Sequence, residues 1–211
     1  ICVMKNIAVL VSGGGTNLQA LIDAQGRGEI VNGKITCVIS SNPDAYALER
    51  AKNSNIPTEV IRRKDFAEFN EYDKALTSLL QSKSIDVVVL AGFMTILGSR
   101  VIKAFENRII NIHPSLIPSF CGEGYYGLRV HKEALKRGVK VTGATAHFVN
   151  EICDGGPIII QKAVEIKNGD TPEVLQKRVM EQAEWKILPK AVSLFCEDKI
   201  IVKDNKTEIL D

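Results

Sequence analysis

Residues 6–11 read NIAVLV, and residues 12–17, which follow directly, read SGGGTN. An unbroken run of mostly apolar residues is typical of a strand that is buried on both faces, as the strands of parallel sheets are. The three glycines allow a sharp turn, and residues 17–24 then show the apolar spacing of a helix. The stretch therefore predicts a strand, a tight glycine loop and a helix, which together form the first unit of an α/β sheet.

The rest of the chain repeats this alternation of strand and helix. Predicted strands cover residues 35–39, 58–61, 86–91, 108–112, 141–148, 158–164 and 199–202, the last at a sheet edge. Predicted helices cover residues 45–53 (capped by Asp44), 65–81, 99–105, 129–137 and 171–195 (broken near Pro189). The alternation favours one α/β domain with a doubly wound, mostly parallel sheet that the C-terminal third extends. We expect the domain to cover residues 4–203, with residues 204–211 as a C-terminal tail.

Composition and charge exclude several classes of partner. The chain has 211 residues, of which 45% are hydrophobic and 25% charged, and its net charge is only +2. So small a charge argues against a nucleic-acid or membrane-surface partner, and no apolar run approaches the ~20 residues of a membrane span. The first residues also lack the pattern of a secretion signal.

The cysteines point to a reducing compartment. They stand at positions 2, 37, 121, 153 and 196, with no CxxC pair and no Cys/His cluster of metal-binding spacing. An odd number of scattered cysteines is not a disulfide framework. We therefore expect a cytoplasmic protein that binds no metal and whose thiols behave as small apolar side chains.

The glycine loop is the first candidate site. Backbone amides of a glycine-rich turn, together with the dipole of the helix that follows, can bind a phosphate. The loop lacks the Lys of a Walker A motif. It also lacks the third glycine of the dinucleotide fingerprint, where Leu18 stands, and residues 40–42 (SSN) offer no acid for a ribose. A phosphate monoester fits best, and the alternative is a turn that only packs strand against helix.

The second candidate site lies at residues 111–115, which read NIHPS. Asn111 and His113 end a predicted strand and share one of its faces. Loops that leave the carboxyl ends of parallel strands form the ligand crevice, so we expect residues 111–115, the glycine loop and residues 92–94 to converge. An amide beside an imidazole can hold a developing oxyanion, whereas the alternative is a capping Asn and a structural His.

The third candidate is Asp154, within residues 151–157 (EICDGGP). A carboxylate before Gly-Gly-Pro lies in a sharp turn, and in isolation such an Asp is usually only a turn residue. Combined with Asn111 and His113, it can serve as the proton acceptor of an enzyme. No Gly-x-Ser-x-Gly nucleophile motif occurs in the chain.

Four segments in order carry a family resemblance. They are residues 12–20 (SGGGTNLQA), 90–94 (LAGFM), 111–118 (NIHPSLIP) and 154–158 (DGGPI). Together they resemble the phosphoribosylglycinamide formyltransferase family, within the superfamily that uses 10-formyltetrahydrofolate. The resemblance runs from about Lys5 to Lys199 and implies the single-domain, Rossmann-like formyltransferase fold.

The resemblance also implies a reaction. The amine of glycinamide ribonucleotide attacks the formyl carbon of 10-formyltetrahydrofolate directly, in purine biosynthesis, with neither a metal nor an acyl-enzyme. Asn111 and His113 match the oxyanion-stabilising pair of the family, and Asp154 matches its catalytic carboxylate, which acts with His113 and an ordered water. We expect Asp154 to raise the pKa of His113 and favour its cationic form.

Binding residues are carried over in the same way. Gly15, Thr16 and Asn17 match the phosphate loop of the family, and Glu184 matches a glutamate that contacts the ribonucleotide. The folate-binding positions correspond to Met94, Thr95, Ile96, Leu97, Asn111, Val149 and Asn150. For Met94, Ile96 and Leu97 alone, core packing is the alternative. The implied partners are these two small molecules, and the implied state is a monomer or homodimer.

The chain departs from the family in two places. Residues 119–126 are longer than in the commoner form, which bears on access to the site. Phe69 replaces an arginine that meets the folate tail in some members, so we expect a basic residue within 62–64 (RRK) to serve instead. His131 and His147 are predicted to be structural or supporting residues.

Three other functions stay open at this point. One is a 10-formyltetrahydrofolate hydrolase, which gives the formyl group to water and usually carries an extra N-terminal domain. Another is a methionyl-tRNA formyltransferase, which usually adds a tRNA-binding barrel and a basic surface. The third is a non-catalytic nucleotide-binding module, which would keep its ligand affinity after His113→Ala and have no turnover to lose.

Overall fold

A computed structural model describes residues 3–211, so Cys2 lies outside the described residues. The strands are β1 (Lys5–Val11), β2 (Gly33–Ser40), β3 (Thr58–Val60), β4 (Val87–Leu90), β5 (Ile109–His113), β6 (Val141–Phe148), β7 (Ile158–Glu165), β8 (Ile200–Lys203) and β9 (Lys206–Ile209). The α-helices are α1 (Thr16–Gly26), α2 (Tyr46–Asn53), α3 (Phe69–Ser82), α4 (Ser99–Ala104), α5 (Leu128–Arg137), α6 (Pro172–Val179) and α7 (Trp185–Cys196). Within the described chain, no helix is both long and apolar enough to cross a bilayer.

Seven strands form one sheet in the order β3-β2-β1-β4-β5-β6-β7. The first five pair in parallel, and β6 runs antiparallel to both β5 and β7. The chain order reverses between β1 and β4, and ligands of open α/β sheets bind at the carboxyl ends of strands beside such a switch point. The predicted fold class is confirmed, including the extension of the sheet by the C-terminal third.

The first strand explains why the sheet has helices on both faces. Ile7, Val9 and Val11 belong to one apolar cluster, which α1 and α7 cover, while Ala8 and Leu10 belong to the opposite cluster beneath α3 and α4. All five side chains are fully buried. Because alternate residues of a strand face opposite sides, a strand buried on both faces must be apolar throughout, as the sequence predicted.

The last predicted strand is not an edge of the main sheet. β8 pairs with β9 in a separate hairpin, whose two turn residues, Asp204 and Asn205, both have positive φ, as the tight turns of hairpins require. The Asn205 amide donates to Gly155 O at 3.1 Å, and Thr207 Oγ1 donates to Ile158 O at 2.6 Å. The tail predicted from residue 204 therefore begins inside this turn, and a domain end at 203 stays a prediction.

Helices α2 and α3 begin later than the sequence predicted. α3 starts at Phe69 rather than at residue 65, because Glu68 and Glu71 form a capping box in which the Glu68 amide donates to the Glu71 carboxylate at 3.3 Å. α2 has Ala45 as its N-cap and receives no side-chain cap. The predicted cap, Asp44, is wrong because that residue belongs to the preceding turn, where its amide donates to Asn42 Oδ1 at 3.0 Å.

The long C-terminal helix is interrupted, but not at Pro189. A π-helical turn, Met180–Glu184, separates α6 from α7, and Pro189 lies inside α7. π-helical turns are rare and often occur at functional sites. This one brings Glu184 into the protein interior, where only 5% of the residue is exposed.

Candidate active site

The loops at the carboxyl edge of the sheet touch one another. Ser12, directly after β1, accepts a hydrogen bond on its hydroxyl from the Met94 amide at 2.9 Å. The same hydroxyl lies 2.5 Å from Ser41 Oγ, directly after β2. The glycine loop and the loop after β4, two of the three segments predicted to converge, therefore meet beside the switch point.

The glycine loop has a geometry that only glycine permits. Gly15 is the N-cap of α1 and adopts a left-handed conformation with φ 74°. A Cβ atom on Gly15 would lie 2.6 Å from the Ala47 Cβ, which is closer than real contacts allow. An N-cap glycine offers no side chain to the first-turn amides of the helix, so these amides remain for an anion at the positive end of the helix dipole.

Asn17 and Glu184 form a buried polar pair beside this loop. The Asn17 amide donates to Glu184 Oε1 at 3.2 Å. The other two oxygens, Asn17 Oδ1 and Glu184 Oε2, are buried and have no hydrogen-bond partner among the described residues. Buried acceptors without a donor are costly, so the pair is suited to a ligand that brings hydroxyl groups, such as a sugar.

Burial also changes the acidity of Glu184. It raises the pKa of the carboxyl to about 7, although the hydrogen bond from Asn17 opposes the shift. Between its ordinary pKa of 4.5 and about 7, the folded protein holds a proton at Glu184 that the unfolded chain has lost. The contribution of this group to stability therefore falls as pH rises through that window.

Glu184→Gln is expected to stabilise the ligand-free protein at about pH 8 more than at about pH 5, because glutamine has no charge to bury. The change in melting temperature should differ between the two conditions by several degrees, as judged by thermal unfolding of both proteins. A change that is the same at both pH values would contradict a raised Glu184 pKa.

The predicted residues Asn111, His113 and Asp154 lie at one place. β5 brings the first two to the sheet edge, and His113 Nδ1 lies 3.7 Å from Asp154 Oδ2. Asp154 has φ 53° in a turn so tight that a Cβ on Gly156 would lie 1.8 Å from the Phe148 carbonyl oxygen. The Asp-Gly-Gly sequence is therefore required to aim the carboxylate back at β5 and β6.

The Asp154 carboxylate is held in its ionised form. Its Oδ2 accepts a hydrogen bond from the Gly122 amide at 2.9 Å, and Oδ1 lies 3.7 Å from His147 Nε2. Burial by itself would raise the pKa of Asp154, but His147, the Gly122 amide and His113 together outweigh it and lower the pKa. The group is therefore a carboxylate at neutral pH, as a proton acceptor must be.

His113 behaves differently from the prediction. Burial lowers its pKa and outweighs the opposing effects of the Phe120 carbonyl and the Asp154 carboxylate. Asp154 does act to raise this pKa, as expected, but the expectation that the cationic form is favoured is wrong, since His113 is only 4% exposed and the imidazolium loses its hydration there. Nε2 lies 2.8 Å from Phe120 O, so the neutral ring carries its proton on Nε2 and donates it to that carbonyl.

His147 joins the other members of the site. It faces Asn111 across the β5–β6 pair, and its Nε2 lies 3.3 Å from Asn111 Nδ2 and 3.7 Å from Asp154 Oδ1. Nδ1 lies 2.8 Å from Phe148 O and donates to it, so in the neutral ring Nε2 is the acceptor for Asn111. This role depends on strand pairing, and a pairing register was the only signal that could have revealed it.

His131 has no comparable role in the described contacts. It is 1% exposed, and neither ring nitrogen has a hydrogen-bond partner within residues 3–211. Burial, with a smaller effect of His113, lowers its pKa to about 4, so the ring is neutral at physiological pH.

The long loop 119–126 contacts two of the candidate catalytic residues. Its backbone supplies both the Phe120 carbonyl that engages His113 and the Gly122 amide that engages Asp154. Cys121 and Cys153, on the segments that meet here, are free thiols, as are Cys37 and Cys196. In residues 3–211 no group of three or more His, Cys, Asp or Glu side chains is arranged to hold a metal ion.

The segment between β4 and α4 presents apolar side chains to solvent. Met94 is 59% exposed and Ile96 is 79% exposed, so neither belongs to the core. Leu97 and Val149 are partly buried, and both pack against the apolar cluster beneath α3 and α4. Exposed apolar side chains beside a polar site are typical of a ligand-binding surface rather than of core packing.

Thr95 and Asn150 lie in the same two loops as these apolar residues. Asn150 is partly buried, and its Oδ1 accepts from the Ile152 amide at 2.9 Å, which shapes the loop that leads to Asp154. The Val149 amide donates to Ile109 O at 2.9 Å and ties this loop to β5.

The basic residues near Phe69 differ in their contacts. Arg62 is paired with Asp65 at 2.7 Å, whereas the Arg63 guanidinium carbon lies 5.7 Å from the centre of the Phe69 ring. Phe69 is 37% exposed. Arg63 therefore lies beside the position at which the missing arginine would stand.

Comparison with known proteins places this geometry in a family. A family profile described as formyl transferase matches residues 5–192. The chain is 46% identical over 202 residues to a phosphoribosylglycinamide formyltransferase of Haemophilus influenzae, covering 96% of this chain and 92% of that protein. It is 43% identical over 199 residues to the human trifunctional purine biosynthetic protein adenosine-3, covering 94% of this chain but only 19% of that much longer protein.

A solved structure shows the same similarity in three dimensions. The glycinamide ribonucleotide transformylase 1 of Symbiobacterium toebii superposes with a TM-score of 0.92 at 42% sequence identity. The superposition covers 99% of this chain and 95% of that one. The fold, with its seven-stranded sheet, is therefore shared over nearly the whole length.

Proposed function

The chain belongs to the formyl transferase family, and from that premise we propose that it transfers the formyl group of 10-formyltetrahydrofolate to the amine of glycinamide ribonucleotide. The products are formylglycinamide ribonucleotide and tetrahydrofolate, and the reaction belongs to purine biosynthesis. One observation carries the proposal. The ionised Asp154 and the donor His113 lie together at 3.7 Å, on the sheet edge that also carries the glycine loop.

The ribonucleotide binds at the carboxyl edge of the sheet, beside the glycine loop. The backbone amides of Gly15, Thr16 and Asn17 hold the phosphate at the start of α1. The unpartnered oxygens of Asn17 and Glu184 accept hydrogen bonds from the ribose hydroxyls. This arrangement brings the glycinamide amine towards the end of β5.

The folate binds at the same edge of the sheet, beside the segment between β4 and α4. The exposed side chains of Met94 and Ile96, with Leu97 and Val149, cover its pteridine ring, and the polar groups of Thr95 and Asn150 meet its edge. Asn111 lies between this surface and the reacting atoms. The support for this placement is the exposure of two large apolar side chains in the segment between β4 and α4.

Transfer proceeds through one tetrahedral intermediate. The amine nitrogen forms a bond to the formyl carbon, and the formyl oxygen becomes an oxyanion that accepts hydrogen bonds from Asn111 and from the Nε2–H of His113. The oxyanion replaces the Phe120 carbonyl as the acceptor. Asp154 takes a proton from the attacking amine, a proton is returned to N10 of the folate, and the bond between the formyl carbon and N10 breaks.

His147 holds the other two groups in register. By accepting from Asn111, it orients the amide towards the oxyanion, and its ring packs beside the Asp154 carboxylate. A preorganised site of this kind avoids rearrangement during the reaction. We expect the enzyme to act on these small molecules in the cytoplasm, without a metal, as a monomer or homodimer.

The function is tested by following folate release by absorbance, with and without glycinamide ribonucleotide. Release that requires the ribonucleotide is the expected result, because the amine is the acceptor. Equal release without the ribonucleotide would identify a hydrolase that uses water, and no release in either case would contradict both functions. The purified product should contain the formyl group on the glycinamide nitrogen.

A further inference from the structure

Helix α2 holds the glycine loop from one side. The Ala47 amide donates to Gly13 O at 3.0 Å. Arg50, one turn further along the helix, donates from Nε to Gly14 O at 2.7 Å. Two successive carbonyl groups of the loop therefore point towards the same helix.

Because the peptide bond is planar, the direction of the Gly13 and Gly14 carbonyls also sets the direction of the Gly14 and Gly15 amides. In a trans peptide, the carbonyl and the following N–H point in opposite directions. With the carbonyls of Gly13 and Gly14 directed at α2, the amides of Gly14 and Gly15 are directed away from it. Successive amides that point to one side form an anion-binding concavity, here at the N-terminus of α1.

Arg50 is held in place by more than this one contact. Its Nη1 donates to Gln19 Oε1 at 3.2 Å, and its guanidinium carbon lies 5.0 Å from the centre of the Tyr46 ring. The side chain therefore bridges α2, the loop and α1. A guanidinium has a planar set of donors that can hold two acceptors at fixed angles, which a lysine ammonium cannot do.

Arg50 also lies at the edge of an open cavity. This cavity has a volume of about 340 Å³ and is lined by Thr16, Gln19, Arg50 and Lys186, among others. Thr16 is the first residue of α1, so the cavity begins where the anion-binding amides end. The lining includes three cations, Arg27, Arg50 and Lys186, and two carboxylates, Asp23 and Glu181.

We propose that Arg50 is a positioning residue for the phosphate of the ribonucleotide: it orients the Gly14–Gly15 peptide so that the Gly15 amide points at the phosphate, and its charge favours the bound dianion. The inference rests on the proposed function, since it assumes that the loop binds this phosphate. Arg50 touches no reacting atom, so its loss should affect binding of one substrate rather than the chemical step.

The test is Arg50→Ala, with Lys52→Ala as the matched control. Lys52→Ala removes a positive charge from the same helix. The Lys52 side chain, however, is 59% exposed and pairs with Glu49 at 3.7 Å. Arg50→Ala is expected to raise the KM for the ribonucleotide about tenfold, the loss typical of one hydrogen bond to a charged group. Arg50→Ala should leave the KM for the folate and kcat within about twofold of wild type. Lys52→Ala should leave both KM values and kcat within about twofold of wild type.

Inorganic phosphate, used as a competitive inhibitor, provides a second readout. Its inhibition constant should rise in Arg50→Ala by a factor similar to that for the ribonucleotide KM. Arg50→Lys should recover part of the loss, because an ammonium can donate to Gly14 O but cannot hold Gln19 as well. Thermal unfolding of each variant checks that the helix remains intact, and Arg50→Gln replaces the alanine variant if that one is unstable.

The outcomes separate this inference from the function on which it rests. If the wild type shows no ribonucleotide-dependent folate release, the proposed function fails, whatever Arg50 does. If the wild type is active and Arg50→Ala has an unchanged ribonucleotide KM and phosphate inhibition constant, only the role of Arg50 is overturned. A fall in kcat with both KM values unchanged would also overturn it, because that pattern indicates a part in the chemical step.

Discussion

Replacing Asp154 by asparagine is expected to lower kcat by ~10²–10⁴-fold, the range for loss of a general acid–base group. Asparagine keeps the size of the side chain and can still accept from the Gly122 amide, but it cannot take the proton of the attacking amine. Both KM values should change little, since the proton moves only as the reaction proceeds. Folate release at saturating concentrations of both substrates measures the effect.

Glu151→Gln is the matched control for this variant. It removes a carboxylate from the same loop, three positions earlier, where the side chain is exposed to solvent. Wild-type kinetics are expected for Glu151→Gln, because an exposed charge is screened by water and salt. An Asp154→Asn enzyme within tenfold of the wild-type kcat would show that another group accepts the proton.

The second large effect is expected at His113. His113→Ala should lower kcat by ~10²–10³-fold, as the removal of one preorganised oxyanion donor does in other enzymes. His113→Gln should lose less, because its amide can still donate a hydrogen bond near the position of Nε2. Single-turnover measurements with both substrates bound isolate this step from product release.

The protonation state of His113 gives this prediction a further test. Because burial lowers its pKa, the ring is neutral around neutral pH and donates through Nε2 without a charge. The ratio of wild-type to His113→Ala rates should therefore stay constant as pH rises from about 7.5 to 8.5. A ratio that falls steadily over this range would indicate that the cationic form is the active one.

Several features of the protein could be predicted from local sequence. The run NIAVLV predicted a strand buried on both faces, and Ile7 and Ala8 do contribute to opposite cores. The glycines predicted a tight loop, and Gly15 adopts φ 74° there. These predictions succeeded because the spacing of apolar residues and the conformational freedom of glycine can both be identified from a few neighbouring residues.

Predictions of helix ends were less accurate, because helix ends also depend on capping contacts and on packing. Phe66 has the apolar spacing of α3, but the capping box of Glu68 and Glu71 starts that helix later. Pro189 is a helix-breaking residue, yet the interruption lies at Met180–Glu184. Packing against the sheet tolerates a proline in the helix, and a propensity taken from sequence does not include that packing.

Local sequence was enough to predict the buried strands, the glycine loop and the position of Asn111, His113 and Asp154 near strand ends. Three other features appear only once the chain is folded: His147 faces both Asn111 and Asp154, Glu184 is buried beside Asn17, and Arg50 contacts the glycine loop. The lowered pKa of His113 likewise follows from burial. Each of these properties joins residues that are tens of positions apart, and burial depends on all the elements that pack around a group, so neither can be obtained from neighbouring residues alone.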